Sequence, residues 1–250
     1  RIVRDRPRPL VIHVVSVDLD APGVSFLVTP PQPTDEHPMR AQTTTEFLRA
    51  NNLQVAVNVS PFWPWWDRGP MNYYPHTGQP VTPTGLTASC GDVYHRRRAR
   101  YPVLNISADN RVTLGAPPAA PYNAAAGFGM LVVDGNRTVY PDRFDRRSTA
   151  PRTMFALGPA RRTLLMVVVD GRQPNYSEGM TLAELADLAV ELGAIEAMNA
   201  DGGGSSTLAV AATDGQPEVL NSPCHGRLPP GRQRPIAAQL GVYARPIPRE

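Results

Sequence analysis

The run Asn199-Ala200-Asp201-Gly202-Gly203-Gly204-Ser205-Ser206-Thr207 holds the densest chemistry in the chain. Three adjacent glycines lose more conformational freedom on folding than any other tripeptide. They are kept where backbone must bend sharply or lie flush against a ligand. Asp201 puts a carboxylate at the rim of the bend, and successive bare N–H groups in such a turn can form a concave anion site. With hydroxyls from Ser205, Ser206 and Thr207, the set suits a ligand that joins a sugar to a negative group. Apolar segments frame the run on both sides, which argues against a flexible Gly/Ser linker.

Other residues could share this chemistry. Asp170 follows an apolar run and opens an Asp-Gly turn, a place that fits either a strand-end catalyst or a turn former. Glu184 stands three residues after Thr181. That spacing closes a capping box, yet a helix start could also aim it at a pocket. Arg152 can hold a phosphate or carboxylate through two parallel hydrogen bonds. Asn58 can bond a sugar or support a loop. All three tryptophans, Trp63, Trp65 and Trp66, sit in one stretch without helix or strand period. They read as a platform for the apolar faces of sugar rings, with packing of a long loop as the rival. Ser205 has no Gly-x-Ser-x-Gly setting, so a serine-hydrolase reading is weak.

Composition closes several routes. All 25 basic residues are arginines, so no lysine Schiff base, phosphate-loop lysine or Ser–Lys dyad exists. A net charge of +3 does not call for nucleic acid, and Arg96 to Arg100 reads as a solvated loop. Cys90 and Cys224 exclude a cysteine-rich metal site and leave one disulfide or two free thiols equally open. Asp142 and Asp145 are too loosely spaced for a metal site. No apolar run approaches membrane-spanning length. Arg1 follows neither a methionine nor an apolar leader, as expected of a trimmed, exported protein, periplasmic or extracellular.

The elements that must position these groups are legible in outline. Leu10 to Val17 and Leu53 to Val59 read as strands, with a short helix from Thr43 to Asn51 between them. Ser60 to about Arg100 reads as long loops. Met130 to Val133 and Arg137 to Tyr140 form a hairpin around Asp134-Gly135. Thr153 to Leu157 and Leu164 to Val169 form a second, whose latter strand is apolar throughout and so covered on both faces. Leu182, Leu185, Leu188, Ala189 and Leu192 make the apolar stripe of a helix capped by Thr181 and stopped at Gly193. Strands resume at Ile195 and from Ile236 to Tyr243. With 42% hydrophobic residues over 250 positions, the expectation is one α+β domain, residues 1–250, of mixed and largely antiparallel sheets with few helices. His13, inside an apolar strand, reads as a core residue.

Asp170-Gly-Arg172, Gly179-Met-Thr-Leu-Ala-Glu184, Leu192-Gly-Ala194 and Asn199-Ala-Asp-Gly-Gly-Gly-Ser-Ser206 occur in an order and spacing that resembles the phosphodiester glycosidase family. Pro151-Arg152-Thr153 and Arg234-Pro235 match it as well. The resemblance is strong from Arg152 to Val210 and thin from Ser60 to Gly127. There Asn58-Val-Ser-Pro-Phe-Trp63 replaces the family's Asn-Gly-Gly-Phe type stretch. The resemblance implies hydrolysis at the anomeric carbon of a glycosyl phosphodiester, with Asp201 as first choice for nucleophile or base and Glu184 and Asp170 as further acids. Arg152, Asn58, Gly202, Gly203, Gly204, Ser205 and the tryptophans would bind the carbohydrate. No cofactor is required on this reading, and a bound ion is left open. A glycosidase acting on plain oligo- or polysaccharide is the alternative, favoured by the altered loop and the tryptophans. A non-catalytic sugar-binding module is the third reading.

Overall fold

The wholly apolar run Leu164 to Val169, in the strand Thr163–Val169, lies inside the central sheet, where a strand without polar alternation has to be. The computed structural model describes residues 1–69, 72–96, 101–138, 148–225 and 230–245. Asp142, Asp145 and Arg97 to Arg100 lie outside the described residues, as does the Tyr140 end of the expected hairpin.

Seven strands form that sheet, in the order Ile2–Arg4, Leu10–Asp18, Thr163–Val169, Arg152–Leu157, Glu196–Asn199, Gly129–Val133 and Asn136–Arg137. Every pairing is antiparallel. Alternation along the strands sorts side chains onto two faces. Met154, Ala156, Val167 and Val169 face the helix α2 (Leu182–Glu191) and its Leu185, Leu188 and Ala189. Phe155, Leu157, Met166 and Val168 face the other way, into the largest core.

That core is closed by two five-stranded sheets. One contributes Val57, Leu208 and Leu240, and the other Leu104 and Ile106. Helix α1 (Thr44–Ala50) covers the outer side of the first with Phe47 and Leu48. Both helices start with the capping boxes expected at Thr43 and Thr181, with Glu46 and Glu184 reaching back to the cap N–H. Asp134 and Gly135 both take positive φ, as the two-residue hairpin turn requires. The α+β expectation holds.

The long loops expected after Ser60 are replaced by six short strands: Phe62–Trp63, Trp66–Gly69, Asn72–Tyr74, Pro80–Pro83, Thr87–Ser89 and Asp92–His95. Each has two to four residues, too few to show a period, and prolines bound one of them. Cys90 is exposed and Cys224 buried, and both are free thiols. No helix among the described residues is long and apolar enough to cross a membrane.

Candidate active site

Register decides which residues meet. Arg152 pairs with Val169 and Met154 with Asn199 across three neighbouring strands. One end of the central sheet therefore gathers Arg152, the Asp170-Gly171-Arg172 turn and the Asp201 loop. The segment ahead of the C-terminal strand adds Arg234. Of these groups Arg152, Arg172, Asp201 and Arg234, together with Trp65, Asp67, Phe128 and Asn199, line a cavity of about 490 Å³, whose wall includes Gly202, Gly203 and Gly204.

Each glycine of the bend has its own reason. A Cβ on Gly202 would lie 2.9 Å from the Pro151 carbonyl oxygen. Gly203 sits at φ +61°, in the left-handed region, with the Arg172 guanidinium against it. A Cβ on Gly204 would lie 2.5 Å from a guanidinium nitrogen of Arg234. The bend is thus packed directly against cations. Most amides of the expected hollow are already spent: Gly202 N–H donates to Asp201 Oδ1, Gly203 N–H to Pro151, Ser205 N–H to Gly202 and Ser206 N–H to Gly203. The anion-holding capacity comes from arginine side chains.

Asp201 is a half-buried carboxylate in the cavity wall. Burial pushes its pKa up to about 6, against the lowering by the Ser205 hydroxyl, Arg234 and the Gly202 N–H. Arg234 lies over the Trp65 ring at 5.2 Å and donates from Nε to His225 Nδ1 at 3.2 Å. His225 is buried, and burial followed by the nearby Arg234 charge lowers its pKa to about 4. It therefore stays uncharged near neutral pH, as an acceptor for Arg234 must. Arg172 also takes positive φ, +59°, a conformation disfavoured for an arginine and held here at the cavity mouth. Arg152 donates to the carbonyls of Met180 and Ser148, at 2.9 Å each.

Four other expected site residues stand outside the cavity lining. Asp170 is 1% exposed. It accepts from Ser222 N–H at 2.8 Å, Asn221 at 3.0 Å and Tyr176 at 3.1 Å, and lies 3.3 Å from His13. Its oxygens anchor loops behind the site. Glu184 closes its capping box and pairs with Arg8. Burial would raise its pKa, but Arg8 and Thr181 outweigh that and hold it low. Asn58 is fully buried, gives its amide to the Asp201 carbonyl at 2.6 Å and accepts from Thr153 and Thr207. Ser205 is buried behind the bend, beside Asp201 and Arg234.

Of the tryptophans, Trp65 alone lines the cavity. Trp63 packs edge-on against His37, and Trp66 stacks on Tyr74 with the Arg68 guanidinium also over its ring. Among the described residues, no group of three or more His, Cys, Asp or Glu is placed to hold a metal ion.

One test of the Asp170 assignment is direct. Asp170→Ala deprives several buried donors of their acceptor, and thermal or urea unfolding should show a loss of roughly 3 kcal/mol. Unchanged stability would return Asp170 to the list of catalytic candidates.

A phosphodiester glycosidase profile matches residues 51–243, well over half of the chain. The chain belongs to the phosphodiester glycosidase family. Among solved structures, it is similar to the catalytic domain of zebrafish N-acetylglucosamine-1-phosphodiester alpha-N-acetylglucosaminidase, auto-inhibited by its pro-peptide. The identity is 18% and the TM-score 0.63, over 97% of this chain and 86% of that one. A Burkholderia pseudomallei protein described as a candidate exported protein matches at 16% identity and TM-score 0.64, over 94% and 74%. A Synechocystis protein of hypothetical function matches at 15% and 0.59, over 98% and 61%. No curated protein matches in sequence. At these identities the structural likenesses speak to the fold.

Within this phosphodiester glycosidase fold, Arg172, Arg234, Asp67 and Asn199 are cavity residues that the sequence did not single out as site groups. Arg172 and Arg234 did stand inside recognisable motifs, and Asn199 opens the glycine run. Asp67 carried no signal.

Proposed function

We propose that this member of the family hydrolyses a glycosyl phosphodiester at the anomeric carbon. The observation that supports this reading is the lining of the cavity: three arginines, Arg152, Arg172 and Arg234, share one wall with Asp201. Positive charge focused in a cleft raises the local concentration of an anionic substrate. It also stabilises the charge that a departing phosphate monoester carries away, so little protonation of the leaving group is needed.

In the reaction, the bond from the anomeric carbon to the phosphate oxygen breaks, and its electron pair leaves with the phosphate. Water supplies the hydroxyl that replaces it. The Asp201 carboxylate, ionised above pH of about 6, attacks or faces the anomeric carbon or takes the proton from that water. Arg234, held by His225 and Trp65, and Arg172 hold the phosphate oxygens. Gly203 and Gly204 let those arginines close against the backbone, and Gly202 lets the bend lie against the Pro151 carbonyl. Asp170 and Glu184, which the sequence offered as acids, act as anchors of the site. We further read residues 1–250 as one catalytic domain, needing no cofactor for this step, and the protein as exported.

A second reading, a glycosidase acting on plain oligosaccharide, draws support from Trp65 in the lining and the exposed Trp63 and Trp66 nearby. For it Asp67 supplies the second carboxylate of the lining that a plain glycosidase uses. The two readings part on substrate. Purified protein should release sugar from a glycosyl phosphodiester at least roughly a hundredfold faster than from an aryl glycoside of the same sugar. Activity confined to the aryl glycoside would eliminate the phosphodiester reading. No activity on either, with retained sugar binding, would favour a binding module.

A further inference from the structure

We infer that Asn199 reads the sugar, its buried side-chain amide taking a ring hydroxyl of the glycosyl unit. The inference rests on the cavity being a glycosyl-phosphate site. Asn199 is 4% exposed, and its Oδ1 has no hydrogen-bond partner among the described residues. A buried amide oxygen left unpaired destabilises a fold, so its retention asks for an occupant. The side chain lines the reaction cavity, where Phe128 and Ala150 beside it offer only carbon.

Alternation fixes the direction. Met198 and Ala200 both enter the core between the sheets, so Asn199 between them turns to the opposite side, toward the cavity that Asp201 also lines. Two residues of extended chain separate Asn199 from Asp201 by roughly 6.5 Å, about the breadth of a pyranose ring. Beyond Asp201 the loop turns into the two arginines: Gly203 lies against Arg172 and Gly204 against Arg234. The cavity is therefore ordered as sugar at Asn199, anomeric carbon at Asp201 and phosphate at Arg172 and Arg234. A hydroxyl both donates and accepts, so it satisfies the amide whichever way the amide is turned. Phosphate, which offers acceptors alone, does not meet the unpaired oxygen.

The test is binding, measured by calorimetry, of glucose, galactose and mannose 1-phosphate and their monodeoxy analogues. For the wild type, loss of one particular hydroxyl should weaken binding roughly tenfold or more. Asn199→Ala should bind that deoxy analogue and its parent equally, and should melt no lower than the wild type, since it removes an amide that makes no internal bond. Discrimination that survives in Asn199→Ala overturns the assignment. So does a lower melting point with discrimination unchanged, or a wild type that binds none of the panel. Turnover separates the two claims. Asn199-dependent selectivity in a protein that cleaves no phosphodiester upholds the sugar contact and removes the reaction. Cleavage with Asn199-independent selectivity does the reverse.

Discussion

Asp201→Asn is expected to reduce turnover of a glycosyl phosphodiester by on the order of 10³-fold while making the protein more stable at neutral and alkaline pH. The two effects share one cause. Burial holds the folded pKa of Asp201 at about 6, above its ordinary value of 3.8. Between those values the folded state binds more protons than the unfolded one, so this group's contribution to stability falls as pH rises through the window. Above pH of about 6 the folded protein carries a charge that the unfolded chain would hold more easily. The penalty is about 3 kcal/mol, at ~1.4 kcal/mol for each unit of the gap. Asparagine removes it, and its amide keeps the local bonds: Oδ1 can accept from the Gly202 N–H and Nδ2 can donate to Ser205 Oγ.

Melting curves should show Asp201→Asn several degrees above the wild type at pH 8, with the difference closing below pH 4. The wild-type rate should rise with pH through an acid limb near pH 6. A variant that melts lower than the wild type at pH 8, or turns over normally, would remove Asp201 from its role. The pairing of lost activity with gained stability is expected of a carboxylate kept buried for chemistry.

The parts of this molecule that sequence could announce are those governed by neighbours along the chain. The Thr43–Glu46 and Thr181–Glu184 spacings gave both helix starts, because a capping box is closed within one turn. The Asp134-Gly135 turn and the apolar run to Val169 were legible for the same reason. The glycine run pointed to the cavity because three glycines with a single local explanation are rare.

Roles decided by distant residues were not legible. Asp170 and Asp201 are both aspartates at the ends of apolar strands. What separates them is that Asp170 meets His13, 157 positions away, and Asn221, 51 positions away. Asp201 instead opens onto the cavity. Asn58 looked like a sugar ligand, but its partners Asp201 and Thr207 lie 143 and 149 positions on. Asp67 and Trp65 lie in or beside strands too short to show any period.

Arg234 carries the second large effect. Its guanidinium is held on one side by His225 Nδ1 and on the other by the Trp65 ring, and it faces Asp201 across the Gly204 backbone. Arg234→Gln should lower phosphodiester hydrolysis by roughly 10²- to 10³-fold, the effect of losing one aimed donor at a developing anion. Hydrolysis of an aryl glycoside, which releases no phosphate, should fall far less. The acid limb of the pH profile should also move above pH 6, because the charge of Arg234 opposes the upward push of burial on Asp201.

Arg234→Lys divides these two consequences. A lysine keeps the charge, so the acid limb should stay near pH 6. It lacks the planar fork that can meet His225, lie on Trp65 and grip phosphate at once, so most of the rate should remain lost. An equal fall on both substrates, with an unmoved acid limb and a lower melting point, would mean that Arg234 serves packing alone. Selective loss on the phosphodiester would tie the arginines of the wall to the phosphate and leave Asp201 to the sugar carbon.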